Sequence, residues 1–133
     1  MIETIDSFEH GVPWGVLRVE GVGSSSPTPD LDIAFSMVAA NEGCVLVAVL
    51  HLDIDKVVVT IAREGKPEGV VQMYSGQLAT PSLVLEVADV VGDDFSYRYS
   101  VSSERPKVTV LADNPEEAAK VWIVIPEVLG KAD

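Results

Sequence analysis

The sequence predicts a mainly β protein: an antiparallel β-sandwich or flattened barrel of about eight or nine strands, with one short helix near residues 115–119. Three observations carry that prediction. From Gly43 on, short Val-rich apolar runs follow one another, bounded by Gly, Pro, Asn or Asp. No helical stretch is long enough to serve as the crossover of a parallel βαβ unit. Aromatic residues make up only 6% of a chain that is 47% hydrophobic, so the core is aliphatic. The 133 residues suit a single domain, residues 1–133.

The first dozen residues are ambiguous and end at His10-Gly11-Val12-Pro13. Residues 14–20 read as a strand with Trp14, Val16 and Arg18 on one face and Leu17 and Val19 on the other. The Gly/Ser/Pro stretch 21–29 predicts a mobile loop. Its Gly-x-Gly lacks a following Gly-Lys-Ser/Thr, which argues against a phosphate loop. Residues 30–40 fit a helix or a strand, and the cleaner alternation of Leu31, Ile33, Phe35 and Met37 favours the strand.

Residues 44–52 are apolar on both faces, the pattern of a central strand. Residues 56–64 and 70–75 flank Gly65-Lys66-Pro67-Glu68-Gly69 and predict a hairpin. Further strands are expected at 83–91, 95–102, 107–111 and 120–125, the last stopped by Pro126. Asn114 can cap a short helix that begins at Pro115 and has Glu116 and Glu117 in its first turn. The tail 127–133 is expected to be loose. The expected core comprises Val16, Val45, Val47, Val49, Val59, Ile61, Leu83, Leu85, Val110, Ile123 and Ile125.

Charge bounds the function. With 21 Asp and Glu against 9 Lys and Arg, the formal net charge is −12. Nucleic acid binding needs basic groups to displace counterions, so it is not expected. Anionic membrane is disfavoured for the same reason. A basic protein surface remains a natural partner, and acidic side chains also keep Val-rich strands from pairing edge to edge. The start Met1-Ile2-Glu3-Thr4-Ile5-Asp6 has no basic region followed by an apolar run, so a cytoplasmic location is expected. The single cysteine, Cys44, allows no intrachain disulfide and reads as a small core residue.

Little points to catalysis. The chain has two histidines and no Gly-x-Ser-x-Gly elbow. No cofactor is expected. In an extended strand His51, Asp53 and Asp55 would share a face and could hold calcium, which makes a calcium-binding sandwich one alternative. The leading expectation is a non-catalytic acidic protein-binding module of an inhibitor or immunity type, docking on a basic partner surface. Its candidate contacts are the acidic strip containing Asp89, Asp93 and Asp94, together with Tyr97, Tyr99 and Trp122. Phe95, Tyr97 and Tyr99 alternate on one face, and that face serves either the core or an interface. The many two-sided apolar strands keep a second alternative open, a homo-oligomeric structural or assembly subunit.

Overall fold

The structure, a computed structural model, describes residues 2–33, 35–91 and 94–132. It is mainly β, and the described residues form eleven strands in two sheets that face each other and do not close into a barrel. The strands are β1 (Glu3–His10), β2 (Val16–Gly21), β3 (Val38–Ala40), β4 (Cys44–Ala48), β5 (Val57–Glu64) and β6 (Val71–Gln77). They continue as β7 (Val84–Asp89), β8 (Ser96–Val101), β9 (Lys107–Ala112), β10 (Lys120–Val124) and β11 (Val128–Lys131). The five-stranded sheet has the order β1-β5-β10-β9-β6, and the six-stranded sheet the order β11-β8-β7-β2-β4-β3. Neighbours are antiparallel except β5 and β10, which run parallel with Val121 opposite Val59 and Ile123 opposite Ile61.

Period-two burial builds the core between the sheets. Val59, Ile61, Val110, Val121 and Ile123 of the five-stranded sheet meet Leu17, Val19, Val45, Val47, Leu85 and Val87 of the other. Eight of the eleven expected core residues are buried. Val16 and Val49 are only half-buried: β2 turns Leu17 and Val19 inward instead of Val16, and Val49 lies just past the end of β4. Leu83 lies outside the core: it is exposed and occupies a left-handed turn (φ 62°) just before β7.

Several expectations need correction. β1 and β11 are strands, so the tail is not loose over Val128–Lys131; it pairs with β8. Residues 56–64 and 70–75 do not form a hairpin. β6 pairs with β9, and the connection from β5 passes over the outer face of the sheet, where Val70 packs on a small cluster with Ala62, Leu111 and Val124. Of the described residues among 30–40, only Val38–Ala40 forms a strand.

No helix forms at 115–119. Asn114 Oδ1 does accept the Glu116 and Glu117 N–H groups as a cap would. However, Asp113 Oδ1 takes the Ala119 and Lys120 N–H groups, and the Ala118 and Ala119 carbonyls bond to Leu50 and Val58. So short a segment cannot offset helix nucleation against those competing bonds. The stretch 21–29 has no regular structure beyond the end of β2. It is tied down where Asn41 Nδ2 donates to the Pro27 carbonyl and Ser82 Oγ donates to the Val22 carbonyl.

Candidate functional site

The end of the sandwich where β1 finishes and β2 begins is built from loops hydrogen-bonded to one another. Pro13–Gly15 forms a 3-10 turn between these strands. Its Gly15 carbonyl accepts from Val49 N–H at 2.8 Å, and the Val12 carbonyl accepts from Leu52 N–H at 3.1 Å. The β4–β5 loop in turn bonds through Leu50 N–H to the Ala118 carbonyl of the β9–β10 loop. The segment before β3 joins the same end through Ala48 N–H and the Met37 carbonyl.

Trp14 has left-handed backbone (φ 64°, ψ −1°), a conformation that costs an L-residue roughly 1–2 kcal/mol. The side chain is nonetheless 74% exposed, so no packing of the ring accounts for the strain. Gly15 follows at φ 63°, and a Cβ there would lie 3.0 Å from the Val49 carbonyl oxygen. The close approach of these two loops therefore requires the glycine. Ile54 is 71% exposed and Phe35 88%, and Ile33, Leu52 and Val91 are also exposed. Among the described residues nine large hydrophobics are exposed, and six of them belong to loops at this end. Most of the exposed large hydrophobics among the described residues thus fall at one end of the sandwich.

Carboxylates surround these side chains. Asp53, Asp55, Asp94, Asp113, Glu116 and Glu117 are all exposed at this end. Of these, Asp53 lies near a basic side chain, its Oδ2 being 3.5 Å from His51 Nδ1. The cations that do pair are engaged elsewhere. Arg18 meets Glu86 at 2.6 Å on the outer face of the six-stranded sheet, where Arg98 lies 3.6 Å from the same carboxylate. Arg63 pairs with Glu3, and Lys131 Nζ lies 3.6 Å from Asp6 Oδ2. Lys56 and Lys120 are also exposed at this end, so its six carboxylates outnumber the cations beside them and its field stays net negative.

The residues singled out from the sequence do not form one surface. Asp94 is exposed at this end; Asp93 lies outside the described residues. Asp89 is 1% exposed because it continues the inward face of Leu85 and Val87, and its Oδ1 accepts the Asp94 and Phe95 N–H groups. Tyr99 is fully buried, and Trp122 is half-buried on the outer face of the five-stranded sheet against Ala62, Leu111 and Val124. Burial takes Asp89 and Tyr99 out of any docking surface. The extended arrangement expected of His51, Asp53 and Asp55 is also replaced. His51 Nδ1 accepts the Asp53 N–H, and the His51 carbonyl accepts from Ile54 and Asp55, so these residues curl into a turn. No group of three His, Cys, Asp or Glu suited to a metal ion occurs among the described residues.

Tyr97 belongs to a second constellation that sequence reasoning missed. Along the seam where β1 meets β8 and β11, Phe8 stacks on Tyr97 with centroids 4.0 Å apart, and His10 stacks on Phe95 at 4.6 Å. His10 Nε2 and Tyr97 Oη are hydrogen-bonded at 2.7 Å, and Tyr99 Oη donates to Asp6 Oδ2 at 2.8 Å. Burial, followed by the Asp6 contact, pushes the Tyr99 phenol far above its usual range. These polar groups satisfy one another across the seam, which locks the two sheets together. Trp14 was also missed, although its setting in Pro13-Trp14-Gly15 is a turn signal rather than a strand start.

No family model and no curated sequence matches the chain. Among solved structures, the fold is similar to the crystal structure of ComJ from Bacillus subtilis, an inhibitor of the DNA degrading activity of NucA. The TM-score is 0.59 at 12% sequence identity, over 94% of this chain and 97% of that one. At this identity the likeness concerns the fold. No helix among the described residues is long and apolar enough to cross a membrane.

Proposed function

We propose that this chain is a non-catalytic, inhibitor-type protein that docks its acidic loop end onto a basic surface of a partner protein. One observation carries the reading: exposed Trp14, Leu52 and Ile54 stand on hydrogen-bonded loops at an end where exposed carboxylates outnumber cations. Tryptophan in a desolvated central pocket is a common energetic anchor of protein interfaces. The surrounding carboxylates would steer a basic partner into register and speed its approach. The fold shared with ComJ supports a nuclease as the class of partner, because a nuclease surface is built to hold phosphates.

The test is capture from the native lysate at low salt, using the chain and two variants of equal charge change. One carries Trp14→Ala with Glu116→Lys and Glu117→Lys; the control carries Glu104→Lys and Glu127→Lys at the other end. A stoichiometric basic protein held by the parent and the control, lost by the first variant, and reduced in nuclease activity by the parent is the expected result. Equal capture by both variants, or a partner whose activity is unchanged, would overturn the reading.

A second reading, self-assembly, is favoured by one observation. β6 is a seven-residue edge strand with no charged residue and no proline, the devices that usually blunt an edge. A monomer mass by light scattering over a wide concentration range would dispose of it.

A further inference from the structure

A groove of about 470 Å³ opens on the outer face of the five-stranded sheet, toward the end away from the docking loops. Leu111 and Val124 supply an apolar lining, and both belong to the small cluster that also includes Ala62, Val70 and Trp122. Arg63, Lys66 and Lys107 line the same groove, with Gln72 and Thr109 as neutral hydrogen-bonding groups.

The charge of this lining runs against the rest of the molecule. The chain has 9 cationic residues against 21 acids, yet three cations line the groove against two acids, Glu3 and Glu64. Glu3 is taken up by Arg63, whose Nε also donates to the Val128 carbonyl at 3.1 Å. The guanidinium is thereby held in place with donors to spare, since it carries five N–H groups. Lys66 and Lys107 make no ion pair among the described residues. Ligand pockets combine this range of volume with apolar walls and a few placed polar groups.

We propose that the groove binds a small amphipathic anion, with its apolar body against Leu111 and Val124 and its carboxylate, sulfonate or phosphate group between Lys66 and Lys107. The site is separate from the acidic docking end, so either proposal can fail alone.

The probe is anilinonaphthalene sulfonate, an apolar anion that fluoresces when desolvated, compared with its uncharged relative phenylnaphthylamine. Titration of the full chain should give saturable binding of one sulfonate per chain and weaker binding of the neutral dye. Lys66→Glu with Lys107→Glu should weaken the sulfonate at least about tenfold, equivalent to about 1.4 kcal/mol, and leave the neutral dye nearly unchanged. Both substituted positions are exposed, and a thermal melt checks that the variant is folded. Amide NMR should place the perturbed signals at Gln72, Lys107, Thr109 and Leu111. Unsaturable binding, an unchanged affinity in the double variant, or shifts confined to another part of the molecule would overturn the proposal.

Discussion

Tyr99 of β8 donates its phenolic hydrogen to the Asp6 carboxylate of β1 at 2.8 Å, a bond that crosses from one sheet to the other. Lys131 Nζ approaches the same oxygen at 3.6 Å but is largely exposed, so it compensates Asp6 only weakly. Tyr99→Phe keeps the buried ring and removes the donor. It should lower stability by about 1–3 kcal/mol, read as a lower urea midpoint at unchanged slope. Asp6→Asn keeps an acceptor and should cost less. An unchanged midpoint for Tyr99→Phe would show that the bond adds nothing net.

Alkaline pH should destabilise the fold through groups that keep their protons when folded. Burial, followed by the nearby Glu20 carboxylate, pushes the Cys44 thiol from 9.0 up to about 12. Between these values the unfolded chain has released the proton and the folded chain has not. The folded state then binds more protons, so stability falls as pH rises. Tyr74 and Tyr99, both raised by burial, extend the decline above their ordinary value of 10.0. Urea midpoints measured upward from about pH 8 should fall, and Cys44→Ala should shallow the slope from pH 9.0 upward. Parallel slopes in parent and variant would remove Cys44 as a cause. The same burial predicts a thiol that reacts with Ellman's reagent only after denaturation.

The strands legible in the sequence are those whose inward face is aliphatic, such as β5 with Val57, Val59 and Ile61. β1 was not legible because its inward face carries Asp6 and His10, whose partners Tyr99 and Tyr97 lie about ninety residues away. β11 has only four residues and shows no alternation to find. Strand order was out of reach for the same reason: the parallel β5–β10 pair joins segments with no local signal of pairing. The buried position of Asp89 was readable, since it continues the two-residue period of Leu85 and Val87. Of the acidic loop end, the acidic loops themselves could be read. Their gathering around Trp14 depends on hydrogen bonds between loops distant in sequence.

Ile123 sits fully buried between the sheets, on a strand paired on both sides. Truncation to alanine opens a cavity that neighbouring β-strands cannot collapse into. Ile123→Ala should cost about 2–5 kcal/mol in chemical denaturation, a large share of the stability of a domain of this size. A cost below about 1 kcal/mol would mean that the core around β10 repacks freely.

Trp14 and Leu83 are the non-glycine residues with positive φ among those described, at 64° and 62°. They form a matched pair for separating strain from function. Glycine relieves the left-handed penalty but adds flexibility to the unfolded chain, so each substitution should gain up to about 1 kcal/mol net. Leu83 keeps more of its side chain covered than Trp14 does, so Leu83→Gly gives back some of that gain in lost packing. Trp14→Gly should therefore raise the melting temperature more than Leu83→Gly. If the docking proposal holds, Trp14→Gly should also weaken partner binding by about 2 kcal/mol, roughly thirtyfold, while Leu83→Gly leaves it unchanged. A more stable protein that binds less well would show strain maintained for recognition. Equal affinity in both variants would leave Trp14 strained with no partner to account for it.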